Sequence, residues 1–112
     1  LFKDLPGVQL PLKSSPSADN IYWVFGLVLN ESISFDAEFA MKKLSEKGIG
    51  VRPFFYPLHK QPVFQKLGMF HGEKYTVAEQ LGQRGFYIPS GLGITDDEIN
   101  QCASIVINFF NS

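Results

Sequence analysis

Between Val51 and Phe64 the chain places an arginine, a phenol, an imidazole and an amine on one proline-punctuated stretch: Arg52, Tyr56, His59 and Lys60, with Pro53, Pro57 and Pro62 among them. A guanidinium is planar and suits carboxylate or phosphate recognition, or else a surface ion pair. Imidazole titrates near neutrality and either exchanges protons and hydrogen-bonds a hydroxyl group, or serves the structure alone. A tyrosine at position 56 either offers its phenol to a ligand or covers the core. Proline fixes φ near −65° and keeps the residue before it extended. Tyr56, His59 and Lys60 are therefore expected to be presented with little freedom, as on a site loop.

Other residues with chemical potential read more plainly. Ser90-Gly-Leu-Gly-Ile-Thr95 precedes a helix, and helix N-termini attract anions. Asp96, Asp97 and Glu98 fill that first turn with negative charge, however, and Asp96 stands where the Gly-x-Gly-x-x-Gly fingerprint needs glycine. The glycines are read as a tight turn. His71 has no partner at metal-ligand spacing, and two histidines without a cysteine cluster do not make a zinc site. Cys102 lies on an apolar stripe and reads as an inert core residue. Asn30-Glu31-Ser32 matches the glycosylation sequon, with no export signal to support it.

The elements that must position these residues follow from pattern and punctuation. Val51–Phe55 is β-branched and aromatic, but Pro53 makes it an edge strand or a strand end. Tyr22–Leu29 is nearly all apolar and predicts a central strand covered on both faces, with Gly26 marking close packing or a bulge. Val8–Leu12 predicts an edge strand, and Lys13–Asn20 a polar loop; together residues 1–20 read as an N-terminal edge strand and loop ahead of a domain over 21–112. Ser34 is expected to cap a helix carrying Ala37, Ala40, Met41 and Leu44 on its apolar side, closed by a left-handed Gly48. Pro62 opens a short helix ended by Gly68, and Thr76 is expected to cap another that runs to Gly85 and is weakened by Gly82. Thr95 and Glu98 form a capping box for a terminal helix with Ile99, Cys102, Ala103, Val106, Phe109 and Phe110 inward. Strands alternating with helices predict a two-layer α+β domain with a small, mostly antiparallel sheet.

Composition bounds the rest. At 112 residues and 45% hydrophobic the chain is one domain with a modest core. A formal net charge of −1 argues against nucleic acid as a partner, and an RNA-binding sheet with stacking aromatics is disfavoured for the same reason. The longest apolar run, Ile21–Leu29, is too short to span a bilayer, so no membrane partner is expected. A single cysteine excludes an internal disulfide and suits a reducing compartment; the expected location is cytoplasmic. The abrupt start at Leu1, without methionine, reads as an internal start.

Three segments together carry a resemblance: Arg52-Pro-Phe-Phe-Tyr-Pro-Leu-His59-Lys-Gln-Pro-Val-Phe64, Tyr75-Thr-Val-Ala-Glu-Gln-Leu81 and Arg84-Gly-Phe-Tyr-Ile-Pro-Ser-Gly-Leu-Gly-Ile-Thr95. The chain from about Tyr22 to its end resembles the small C-terminal domain of the DegT-type sugar-nucleotide aminotransferases, nearest to the perosamine synthases. That resemblance implies a fold-type I pyridoxal-phosphate enzyme that moves an amino group from an amino acid, usually glutamate, to a nucleotide-linked 4-keto-6-deoxy sugar. It implies a homodimer with active sites completed at domain and subunit boundaries. The Schiff-base lysine of the family lies in the larger N-terminal domain, and nothing around Lys60 resembles its motif. No catalytic, cofactor-binding or metal-binding residue is therefore expected here, and the chain alone is expected to be inactive. Arg52, Tyr56, His59 and Ser90 are the expected substrate-binding residues. The competing reading is a non-catalytic interaction module that binds a partner through aromatics near Phe54, Phe55 and Phe64.

Overall fold

The computed structural model describes every residue except Asp4. In chain order its elements are β1 (Val8–Gln9), β2 (Ser14–Ser15), β3 (Ala18–Asp19), β4 (Phe25–Leu29), α1 (Ala37–Glu46), β5 (Arg52–Pro53), a 3-10 turn (Leu58–Lys60), α2 (Pro62–Lys66), α3 (Thr76–Arg84), β6 (Gly85–Ile88) and α4 (Asp96–Phe110). Four strands form one antiparallel sheet in the order β1-β4-β6-β5, and β2 with β3 makes a separate small hairpin inside the expected polar loop.

The register explains the layers. Opposite residues in an antiparallel ladder share a face, so the pairs Phe25↔Ile88 and Leu27↔Phe86 put their side chains on one side of the sheet. There Leu27, Leu29 and Phe86 are fully buried with Leu44 of α1 and Val106 of α4. This is the core, and it makes the domain two-layered α+β as expected.

The other side of the sheet departs from the expectation of a strand buried on both faces. Gly26, Val28 and Tyr87 are only half-buried there, and the strand begins at Phe25 instead of Tyr22. Tyr22 holds a left-handed φ of 50°, with its N–H donated to the Asn20 side chain at 2.7 Å, and that turn ends the extended path. On this face the ring of Phe54 lies across Gly26 and Gly85. A Cβ on Gly26 would stand 2.9 Å from that ring, and one on Gly85 would overlap it outright. Phe54 then stacks on Tyr87 at 4.5 Å between centroids. Gly26 therefore marks close packing and not a bulge; Gly85, at the end of α3, has an ordinary φ of −105° and is glycine for the same ring.

Helix starts were expected slightly too early or late. The cap of α1 is Asp36, whose carboxylate accepts the Phe39 N–H at 2.9 Å, and not Ser34. The physical reason is Arg84, which occupies the carbonyls of Ile33 and Phe35 and keeps that segment non-helical. Thr76 is the first residue of α3 and Tyr75 its cap. Pro62 opens α2, Gly48 is left-handed at 82°, and Thr95 with Glu98 makes both halves of the capping box on α4.

Candidate functional site

The stretch from Tyr56 to Lys60 leaves the edge of the sheet, turns once as the 3-10 helix and packs on α3. Its anchor is Glu79, in the first turn of α3. One carboxylate oxygen, Oε1, accepts from His59 Nε2 at 2.7 Å and from the Tyr75 N–H at 3.3 Å; the other, Oε2, pairs with Lys60 Nζ at 3.2 Å. An ionised carboxylate only accepts, so the hydrogen on the imidazole sits on Nε2. The His59 hydrogen bond, followed by that of Lys60, holds the Glu79 carboxyl down to about 2. The imidazole is 5% exposed, meets the Tyr75 ring edge-on at 4.9 Å, and its own carbonyl accepts from Gln65 Nε2 of α2. Gln61 Nε2 donates to the Tyr56 carbonyl at 3.2 Å, and Pro57 packs against Gly82 of α3, where a Cβ would come within 2.9 Å of its ring. Tyr75 in turn donates its hydroxyl to Glu73 at 2.5 Å, which pushes that phenol up.

The four residues expected to bind substrate are not gathered at one point. Arg52 is exposed on the edge strand opposite Tyr87, so its side chain shares the face that carries Phe54 and Tyr87. Among the described residues no carboxylate pairs with it. Tyr56 is 57% exposed just beyond β5. His59 lies beneath that loop with Nε2 committed to Glu79. Ser90 follows β6, and because β5 and β6 are antiparallel it stands at the opposite end of their ladder from Tyr56. Its hydroxyl donates to the Trp23 carbonyl at 3.2 Å, joining the end of β6 to the approach of β4.

Ser90 borders a cleft of about 790 Å³ whose walls are mostly apolar: Ile21, Tyr22, Trp23, Leu92, Ile94 and Ile99 among them. Ile21, Trp23 and Leu92 are all exposed, Trp23 at 72%. Cys102, at the floor, is a buried thiol pushed up by desolvation, as its place on the stripe suggested. His71 is exposed, and among the described residues no three metal-ligating side chains cluster. No helix of the described residues is long and apolar enough to cross a membrane.

Pyridoxal phosphate needs a lysine amine that can shed its proton, which a desolvated pocket favours. None of the lysines here is buried, Lys60 is paired with Glu79, and the apolar cleft has only Lys3 at its wall. These residues do not fit the cofactor's covalent site, and no step of its chemistry is derived from them.

Of the three aromatics expected to form a partner surface, Phe54 is spent on its glycine slot and Phe64 packs edge-on against Phe70 at 5.8 Å; Phe55 alone is strongly exposed, at 79%. Arg84 donates to the carbonyl of Leu29 at the end of β4 at 3.2 Å and to three carbonyls of the β4–α1 connection: Phe35 at 2.7 Å, Ile33 at 2.8 Å, and Asn30. Its position in the last turn of α3 resembles ordinary dipole complementation; only the tertiary structure reveals a strut.

The fold recurs within a larger solved structure. A solved structure of PseC from Helicobacter pylori, an aminotransferase involved in the biosynthesis of pseudoaminic acid, superimposes with a TM-score of 0.70 over 79% of this chain and 23% of its own, at 14% identity. Residues 1–107 match the sequence profile of the DegT/DnrJ/EryC1/StrS aminotransferase family, and the chain belongs to that family. It is 27% identical over 109 residues to the GDP-perosamine synthase of Vibrio cholerae, and 32% identical over 110 residues to EpsN of Bacillus subtilis, a putative pyridoxal phosphate-dependent aminotransferase. Each match takes in 96% of this chain but only 29% and 27% of the relative.

Proposed function

We propose that the chain is the C-terminal small domain of a pyridoxal-phosphate-dependent, cytoplasmic, homodimeric aminotransferase that aminates a nucleotide-linked 4-keto-6-deoxy sugar in the manner of a perosamine synthase, with glutamate as the amino donor. The observation that carries this is the family match across residues 1–107, with GDP-perosamine synthase among the relatives. In this reading the reactive lysine and the cofactor phosphate contacts belong to a large domain outside these residues. The isolated chain neither holds the cofactor nor transfers an amino group. Arg52 and Tyr56, exposed beside the Phe54–Tyr87 stack, meet the charged and hydroxylated parts of the substrate; His59 serves them by bracing their loop, and Ser90 stands at the rim of the apolar cleft. That cleft, too apolar for a sugar nucleotide, faces the large domain.

The test is amino transfer by the full-length protein that contains these residues, supplied with pyridoxal phosphate, glutamate and a GDP-linked 4-keto-6-deoxy sugar, beside the isolated chain. Formation of the amino sugar and 2-oxoglutarate by the full-length protein alone is the expected result. Failure with GDP-, dTDP- and UDP-linked keto sugars alike would overturn the substrate class.

A further inference from the structure

We infer that Glu79 is a positioning residue: through His59 and Lys60 it fixes the Tyr56–Lys60 loop on α3, and so sets where the Tyr56 phenol stands at the substrate site. The loop half of this inference stands on geometry alone, and the substrate half rests on the function proposed above. Three donors from two separate segments converge on one carboxylate. His59 and Lys60 belong to the 3-10 turn, and the Tyr75 N–H belongs to the start of α3. That amide has no acceptor inside its own helix, as the first N–H groups of any helix do not. The same oxygen therefore caps α3 and grips the imidazole.

Besides this tie the loop is held by Gln65 Nε2 on the His59 carbonyl, Gln61 Nε2 on the Tyr56 carbonyl and Pro57 on Gly82, none of which satisfies the imidazole ring nitrogens. Its internal bonds are Lys60 N–H to the Pro57 carbonyl at 3.0 Å and Gln61 N–H to the Leu58 carbonyl at 3.0 Å. Leu58 is exposed and adds no burial, whereas His59 is the one buried polar residue among the described residues. An imidazole that deep needs a partner, since an unsatisfied buried donor costs about 1–3 kcal/mol. Removing the carboxylate leaves the imidazole to seek water, and the turn must open for it to do so. Tyr56 is joined to that turn through Pro57 with its ring on Gly82, so it moves with the turn. Misplacing a substrate-positioning group by about 1 Å can cost 100-fold in rate. Glu79 itself touches no reacting atom.

The experiment compares wild type, Glu79→Ala, Glu79→Gln, Tyr56→Phe and the Glu79→Ala/Tyr56→Phe double variant in the full-length protein. Hydrogen exchange at the Lys60 and Gln61 amides reads the loop directly. Glu79→Ala should accelerate exchange there on the order of tenfold or more, and Glu79→Gln, which keeps an acceptor oxygen, should recover much of the protection. In the transfer assay Glu79→Ala should raise KM for the keto sugar on the order of tenfold while KM for glutamate stays within about twofold. The effects of Glu79→Ala and Tyr56→Phe should be non-additive, because both act on one phenol. Unchanged exchange at Lys60 and Gln61 would overturn the inference even if the wild type transfers nothing. Additive effects, or an equal rise in both KM values, would reduce Glu79 to a stabiliser of α3. A wild type inactive on every keto sugar, with the exchange result as expected, removes the proposed function and the substrate half while the loop half survives.

Discussion

Two oxygens of Glu79 receive one imidazole, one amine and one backbone amide, and that concentration of donors has a pH signature. The carboxyl is held down to about 2 in the folded chain, against 4.5 for an ordinary glutamate. A group whose folded value is depressed contributes stability that is fully present above its unfolded value and is lost as pH falls through the folded one. Acid unfolding of the wild-type domain should therefore draw on Glu79 between about pH 4.5 and 2, and Glu79→Gln should flatten that limb of the stability curve. Chemical denaturation at stepped pH would check it; an unchanged slope would mean that solvent screens the carboxylate in solution. Arg84 makes the second prediction at this scale. Hydrogen bonds to a charged donor are worth about 1.5–3 kcal/mol each where partly buried, and the four here are not independent. Arg84→Ala should cost about 3 kcal/mol in urea-induced unfolding, and Arg84→Lys should recover little, because a compact ammonium cannot reach carbonyls spread from Leu29 to Phe35. In the sequence His59 and Arg52 stood out by type and neighbours. Glu79 and Arg84 did not, because their work depends on partners 20 and 49 or more residues away.

The elements were legible where a rule is local. Proline at the start of α2, glycine after α1 and the capping box on α4 each follow from steric or hydrogen-bonding demands within a few residues, and each is where the pattern put it. Elements failed where a distant group decides. The run Val51–Phe55 has strand composition, yet only Arg52–Pro53 is strand; Phe54 adds one amide bond to the Gly85 carbonyl at 3.4 Å and lays its ring over Gly26 and Gly85. That slot yields a third prediction. Gly26→Ala brings a methyl to 2.9 Å from the ring of Phe54 and should destabilise the domain by about 1–3 kcal/mol, as overpacking does. In a Phe54→Ala background the same substitution should cost little, and a thermal double-mutant cycle would expose the difference. Gly82 reverses an expectation from propensity alone. Alanine in mid-helix normally gains about 1 kcal/mol over glycine. At Gly82 its methyl would meet the rigid Pro57 ring at 2.9 Å, so Gly82→Ala should not raise the melting temperature.

At the scale of the molecule, the core layer is closed in one part and open in another. Around Leu27 and Phe86 it is packed shut by α1 and α4, while beside Phe25, Ile88 and the start of α4 the cleft opens, with Ile21, Trp23 and Leu92 in solvent around it. Contiguous apolar surface of this kind marks a site of association. The isolated chain should gain mass with concentration in sedimentation, and Ile21→Lys with Trp23→Ser should keep it monomeric; association unaffected by that pair would place the contact elsewhere. The two-layer class was readable from alternation of strand and helix, whereas which side of the sheet stays bare was not, because apolar runs do not distinguish a strand packed twice from one packed once.

The rim beyond Arg52 limits how neighbours can attach. Phe54 points its amide inward at the Gly85 carbonyl, so Pro53, one step earlier, faces outward, where its nitrogen has no hydrogen to offer. A ribbon from another chain laid alongside would find a gap in the ladder at that point. Growth of the sheet across a molecular boundary is thereby discouraged on this side, and company must come broadside, through side chains.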